Sequence, residues 1–352
     1  MNPERKDRMR FLCFGLGAIG TYIGGSLLDA GDEVVFIEKT AAFEKVKHQG
    51  LHLVRNDRTI HIPRIAVASS IAGALEVGEF DAAILAVKSF DTVSVMNEIA
   101  PYKAHFPPVL CLQNGVENEE LIAQTVGPEH VIGGSITSAV GRVDIANAVV
   151  EKVRGVGIET GHPLSARLIE HFKRAGLRTR GYDDRRSLKW SKMLTNLQAN
   201  ALPAILRWTP YQVYSNPLTY SIECAEIQEA FTVMKKMGIQ VVDLPGTPVR
   251  VWVNAMTHWP QSVSRPLIAR LMSAGRGNKL PSFHIDLYAG KKQSEVVFLN
   301  GVVARFAKSN NVPAPVNTAL TQILTGMADG SIPFERFNDH PEEVKRRIEE
   351  IS

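Results

Sequence analysis

Phe11-Leu12-Cys13-Phe14-Gly15-Leu16-Gly17-Ala18-Ile19-Gly20, together with the residues from Thr21 to Lys39, decides the fold. Four apolar residues predict a buried strand. The G-x-G-x-x-G turn opens an amphipathic run in which Ile19, Ile23 and Leu27 recur every four residues. Gly31 suits a helix C-cap, and Glu33-Val-Val-Phe-Ile37 predicts a second strand. Together these make a β-turn-α-β unit. Gly15 serves the tight turn, Gly17 lets backbone approach a pyrophosphate, and Gly20 lets helix pack on strand. The helix start adds free N–H groups and a positive dipole end. The segment Gly15, Leu16, Gly17, Ala18, Ile19 and Gly20 is therefore the first candidate cofactor site.

The chain is long enough for two domains: 352 residues, 45% hydrophobic and 22% charged. A net charge of +4 is too small and too scattered to suggest nucleic acid. No apolar run reaches the length of a membrane span, and residues 1–9 do not read as a secretory signal. Cys13, Cys111 and Cys224 are odd in number and far apart, so small core residues in a reducing cytoplasm are expected, with no metal.

Downstream, Gly50–Arg55 and Arg58–Ile62 flank Asn56-Asp57 and predict an inserted hairpin. Buried strands are expected at Phe80–Val87, Pro108–Leu112, 131–135, 148–153 and 156–159, with helices at 91–100 and 117–126. Strands alternating with helices imply a Rossmann-like, doubly wound, mostly parallel sheet. Ligands sit outside the carboxyl ends of such strands, which is where Lys88 and Asn114 fall. After a short strand near 177–184 the pattern turns helical, over 185–206, 217–237, 248–272 and 292–309. The expected organisation is an α/β dinucleotide domain at 8–183, an all-α domain at 184–330 and a charged tail at 331–352.

Helix 185–206 carries two stripes. Trp190, Met193, Leu194 and Leu197 form an apolar seam, while Lys192, Asn196 and Asn200 recur every four residues on another face. A solvated face is the plain alternative, but two asparagines inside a helix weaken it. Farther on, Glu295 opens the 292–309 helix, where an acid also suits the helix dipole. Ser282 could equally be an N-cap.

The ordered set is the glycine fingerprint, Ala86-Val-Lys88, Gln-Asn114-Gly115, Trp-x-Lys192-x-x-x-Asn196-x-x-x-Asn200, Pro-Ser282, and Ser-Glu295-x-x-x-Leu-Asn-Gly. Over residues 10–325 it resembles the ketopantoate reductase (2-dehydropantoate 2-reductase) family. The resemblance implies reduction of a 2-oxo acid, with Lys192 as general acid on the C2 oxygen and Glu295 holding Lys192 and substrate. It places Asn114 beside nicotinamide and substrate, Asn196, Asn200 and Ser282 on the substrate's hydroxyl and carboxylate, and Lys88 on the cofactor side. Lysine is an apt donor where hydride addition leaves charge on oxygen.

Glu38 predicts NADH through a ribose 2′-OH, Lys39 predicts NADPH through a 2′-phosphate, and the resemblance favours NADPH. Residues 240–280, with Trp252, His258, Trp259 and the Arg276-Gly-Asn-Lys279 loop, are longer than the family's minimal pattern. The loop either closes over an anionic substrate or faces water. The expected partner is a small 2-oxo acid, with no nucleic acid and no membrane, and the apolar helical domain could support a homodimer. A reductase or dehydrogenase of another 2-oxo or 3-hydroxy acid, and a non-catalytic NADP(H) sensor, remain as alternatives.

Overall fold

The computed structural model describes residues 8–38, 40–55, 58–276 and 280–352. The chain divides into two compact units, Met1–Lys189 with Leu244–Thr247, and Trp190–Asp243 with Pro248–Ser352.

In the first unit the elements are β1 (Arg10–Phe14), α1 (Ala18–Asp29), β2 (Glu33–Ile37), α2 (Thr40–Gln49), β3 (Leu51–Arg55), β4 (Arg58–Ile62) and β5 (Ala66–Ala68). Next come α3 (Ile71–Glu76), β6 (Ala82–Leu85), α4 (Thr92–Ile99), β7 (Val109–Cys111), α5 (Asn118–Val126) and β8 (Val131–Ile136). The remainder is β9 (Ala139–Asp144), β10 (Asn147–Lys152), β11 (Val156–Glu159), α6 (Ser165–Arg174) and β12 (Thr179–Tyr182).

Eight strands form one sheet in the order β12-β11-β8-β7-β6-β1-β2-β5. Neighbouring strands in it run parallel except β8 with β11. Alternation along β1 explains why it is central. Phe11 and Cys13 enter a core shared with α1 and α6, while Leu12 and Phe14 enter a second core with α3, α4 and α5. The expected hairpin is present as β3–β4 in antiparallel register. It belongs to a separate four-stranded sheet, β4-β3-β10-β9, against which α1 also packs. Its turn, Asn56-Asp57, lies outside the described residues. β5 and β9 were not legible as strands: one is three residues long and the other is mostly half-exposed.

The helical part begins with α7 (Arg185–Leu197), within which the division between units falls, and α8 (Ala201–Leu206). It continues with α9 (Pro210–Ser215), α10 (Pro217–Lys236), α11 (Val249–His258), α12 (Gln261–Arg276) and α13 (Ser282–Tyr288). The last elements are α14 (Asn300–Ser309), α15 (Pro315–Asp329) and α16 (Pro341–Glu349). Packing centres on α10, against α9, α11, α14, α15 and α16.

Three expected helices are each two elements. The 185–206 helix breaks at Gln198–Asn200, where Ala199 has φ 48°. The 248–272 helix breaks at Trp259-Pro260, because proline disfavours helical backbone before it. The 292–309 helix starts as a 3-10 turn at Glu295–Phe298, and its α-helical part begins only at Asn300. The 331–352 stretch, charged on average, folds onto the second unit through buried Phe337, Pro341 and Val344. Asp339 fixes it, its N–H donating to Leu206 O at 3.1 Å and its carboxylate accepting from Trp208 Nε1 at 2.5 Å.

Candidate active site

In the first unit, β1 hands over to α1 through the glycine turn. Gly15 has φ 93°, in the region glycine favours, and its N–H donates to Ile37 O at 3.2 Å. A Cβ on Gly20 would stand 1.9 Å from Gly15 O, so helix and turn approach as closely as only glycine permits. A Cβ on Gly17 would meet no protein atom within 4 Å. Gly17 therefore borders open space at the start of a twelve-residue helix that has no side-chain cap and no acid in its first turn. Those features fit a dinucleotide's phosphates, which the backbone N–H groups of the first turn would hold. Leu16 is fully buried and serves the loop as an anchor, with Ala18 and Ile19 half-buried beside it.

Glu38 comes directly after β2, and its Oε2 accepts the Leu16 N–H at 3.0 Å. An acidic group is thus fastened to the fingerprint loop. Lys39, the competing basic residue, lies outside the described residues, as do residues 277–279 of the 276–279 loop.

Lys88 and Asn114 stand beyond β6 and β7 at the carboxyl ends of these strands, and both are exposed. A buried polar network joins the backbones on which they stand. Gln113 Nε2 donates to Val87 O (3.1 Å), Lys88 O (3.3 Å) and Thr92 Oγ1 (2.8 Å). Asn114 O accepts from Ser89 Oγ (2.9 Å) and Asn118 Nδ2 (2.7 Å). Thr92 Oγ1 donates on to Asn118 Oδ1 at 2.9 Å. A fully satisfied network of this kind fixes geometry.

Sequence reasoning missed this network, and with it Lys189. The Lys189 ammonium is buried, donates to Gln113 O at 2.6 Å and Gly134 O at 3.3 Å, and lies 2.8 Å from Glu119. The available signal was position: Lys189 stands one turn before Lys192, next to the apolar seam.

In the second unit, the seam residues Trp190, Met193, Leu194 and Leu197 are all buried, as expected. Lys192 and Asn196 are half-buried on α7, and the Lys192 carbonyl accepts from Thr195 Oγ1 at 2.8 Å. Asn200 does not extend their helical stripe. It lies in the break, at the N-cap position of α8, and its side chain bonds elsewhere than the first turn of that helix. Its Nδ2 donates to Asn196 O at 3.0 Å, and its Oδ1 accepts from Phe283 N–H at 3.2 Å and Ser282 Oγ at 3.4 Å. Asn196, Asn200 and Ser282 are thereby brought together from three elements. Ser282 is the first residue of α13 rather than its N-cap, which is Pro281. Glu295 is buried at the start of its 3-10 turn, where Ser294 Oγ accepts the Val296 N–H at 3.2 Å. Asn300 is wholly internal, donating to Glu226 Oε1 at 2.6 Å and Asn317 Oδ1 at 3.1 Å.

Cys13, Cys111 and Cys224 are buried thiols. Burial pushes Cys13 up to about 12 and Cys224 up to about 11, so neither is a ready nucleophile. Among the described residues there is no group of three His, Cys, Asp or Glu placed to hold a metal, and no helix long and apolar enough to cross a membrane.

Two family models match the chain. Residues 11–158 match one described as Ketopantoate reductase PanE/ApbA, and residues 184–328 match one described as Ketopantoate reductase PanE/ApbA C terminal. The chain is 28% identical over 322 residues to a 2-dehydropantoate 2-reductase of Pyrococcus horikoshii, covering 90% of this chain and 96% of that one. It is 26% identical over 328 residues to one of Archaeoglobus fulgidus, covering 91% and 98%. A solved PanE/ApbA family ketopantoate reductase from Ralstonia eutropha JMP134 superposes with TM-score 0.76 at 24% identity, over 92% of this chain and 99% of that one. A D-mandelate dehydrogenase, solved with NADH and anilino(oxo)acetate, gives 0.75 at 20% identity over the same shares. At that distance the two structures speak for the fold alone.

Proposed function

We propose, from the premise that this chain belongs to the ketopantoate reductase PanE/ApbA family, that it reduces 2-dehydropantoate to (R)-pantoate with NADPH, on the route to pantothenate and coenzyme A. The family is one of oxidoreductases, and the relatives share nearly the whole length of this chain. The observation that carries the reading is the junction of Asn196, Asn200 and Ser282 at the end of the helix bearing Lys192. A solvated helix face has no need of it.

The dinucleotide, when bound, supplies the hydride. The protein's own residues do the rest. The α1 N-terminus and Gly17 receive the phosphates. Lys192 gives a proton to the C2 oxygen as charge gathers there, and its positive charge stabilises that oxygen. Glu295, held in a buried turn, orients Lys192. Asn196 and Ser282 hold the substrate's hydroxyl and carboxylate. Asn200 spends its side chain on Asn196 and α13, so its part is to set the spacing of the other two. Asn114 and Lys88 meet the nicotinamide side from the strand ends.

Following NADPH oxidation by absorbance across a panel of 2-oxo acids tests this reading. We expect 2-dehydropantoate to give the highest kcat/KM. A higher value for another 2-oxo acid would transfer the assignment to that acid, and oxidation with none of them would leave the NADP(H) sensor. One observation favours a second cofactor: the Glu38–Leu16 bond ties a carboxylate to the dinucleotide loop, where it would repel a 2′-phosphate. The same panel run with NADH decides, and a kcat/KM higher with NADH makes that the cofactor.

A further inference from the structure

We propose that Glu223, on α10, is a positioning residue for the substrate side of the site, holding the helix break that places Asn196 and Asn200. The inference rests on the reductase reading above and adds to it a residue in contact with none of the reacting atoms.

The break is unusual in its chemistry. Ala199 is fully buried and has φ 48°, a left-handed conformation that alanine adopts at a cost because its Cβ crowds the following carbonyl. Helical bonding continues as far as Gln198, whose N–H donates to Leu194 O at 3.3 Å. At Ala199 it stops, and the buried N–H needs a partner of another kind. That partner is Glu223. Its Oε2 accepts the Ala199 N–H at 2.9 Å, and the same oxygen accepts the Tyr214 hydroxyl of α9 at 2.6 Å. Glu223 is itself fully buried. Tyr214 stands edge-on to Tyr220, with ring centroids 5.8 Å apart, so the hydroxyl is delivered from a fixed ring.

Asn200 is the next residue. Were α7 to run on, Asn200 would come one turn after Asn196 on the same drifting stripe. The left-handed residue instead turns the chain so that Asn200 stands just ahead of α8, its side chain reaching back to Asn196 O and across to Ser282 and Phe283. Releasing the Ala199 N–H relaxes the break and slackens this junction, while Lys192, nearly two turns upstream, keeps its own helix. The expected signature is weaker substrate binding with little loss in the chemical step.

The test is steady-state kinetics of Glu223→Ala, Glu223→Gln and Tyr214→Phe with the 2-oxo acid that the wild type reduces best. Glu223→Ala should raise KM for that acid by about tenfold, with kcat and dinucleotide KM within about twofold of wild type. Glu223→Gln keeps an acceptor at the same reach and should restore KM to within about threefold. If Glu223→Ala does not fold, Tyr214→Phe, which removes only a hydroxyl, should raise KM about threefold. An unchanged KM in a folded Glu223→Ala, or in Tyr214→Phe where Glu223→Ala fails to fold, overturns the inference. A wild type that reduces no 2-oxo acid instead defeats the reductase reading. Amide hydrogen exchange at Ala199 then decides: faster exchange in Glu223→Ala, or in Tyr214→Phe if the former does not fold, supports the pinned break, and unchanged protection sinks it.

Discussion

The Lys189 ammonium lies 2.8 Å from the Glu119 carboxylate, and their side chains are 4% and 2% exposed. The pair is an ion contact, while the ammonium's aligned hydrogen bonds go to Gln113 O and Gly134 O. Burial works to lower the lysine pKa, yet Cys111 and Glu119 outweigh it, and the net direction is up. Lys189 therefore stays charged and holds the segment that carries Asn114. Lys189→Met would strand a buried carboxylate and should cost about 3–5 kcal/mol in urea unfolding. Lys189→Met with Glu119→Leu should recover most of that, since an apolar pair of similar volume is often neutral or better. A double variant no more stable than the single one would show that the backbone bonds of Lys189, rather than the pair, matter.

Much of this was legible in the sequence because apolar periodicity and glycine chemistry are local. The β1–α1–β2 unit, the hairpin, the strands ahead of Lys88 and Asn114, and the apolar seam of α7 all arise from residues within one or two turns of each other. What was not legible depends on distant partners. Nothing near Ala199 announces a left-handed residue, because Glu223 stabilises it from 24 positions away. The sequence did not single out Lys189, because its partners Gln113, Glu119 and Gly134 all lie more than fifty positions away. The helical continuity assumed through Asn200 failed for the same reason, and with it the idea of a single Lys192–Asn196–Asn200 stripe.

Asn200→Ala should act on both stability and substrate. It removes the acceptor of the Phe283 N–H, a first-turn donor of α13, and leaves that buried group unsatisfied at a cost of about 1–3 kcal/mol. It also frees Ser282, so KM for the 2-oxo acid should rise more than kcat falls. Thermal unfolding and initial rates on the same preparation measure the two effects. A loss of stability with unchanged KM would restrict Asn200 to the fold.

Lys192→Ala should lower kcat by about 10²–10⁴, the range for a positioned general acid. NADPH affinity, read by fluorescence titration, should stay within about twofold, because the fingerprint loop is untouched. A variant with normal turnover would remove Lys192 from the chemistry.

Glu226 offers a pH test. Burial, then Glu223 and Glu229, push its carboxyl well above the ordinary value of 4.5, partly offset by the hydrogen bond from Asn300. In the folded chain it keeps its proton at pH values where the unfolded chain has released it. Its stabilising contribution is thus complete below about pH 4.5 and is lost as pH rises toward the folded value. Glu226→Gln mimics the protonated form and removes this penalty. The unfolding free energy of the variant should exceed that of the wild type by a margin growing with pH, at up to about 1.4 kcal/mol per unit for one proton. Urea titrations at several pH values between 5 and 8 measure the margin, and a constant difference would mean that Glu226 ionises normally.

The glycines of the loop separate fold from cofactor. Gly20→Ala would drive a methyl into Gly15 O, since the ideal Cβ stands 1.9 Å away. Backbone cannot yield that distance without moving α1 from β1, so the variant should lose stability and dinucleotide together. Gly17→Ala is different, because no protein atom lies within 4 Å of the added Cβ and the backbone there is extended. Any penalty must then come from what occupies that space when the cofactor is bound. Gly17→Ala should melt within about 2 °C of wild type, as a change of a few tenths of a kcal/mol implies. Its affinity for NADPH should fall about tenfold or more, equivalent to about 1.4 kcal/mol. Calorimetric titration and thermal melts on both variants give the comparison. If Gly17→Ala bound NADPH as the wild type does, the open face at Gly17 would have no part in holding the pyrophosphate, and the phosphates would have to lie elsewhere along the α1 N-terminus.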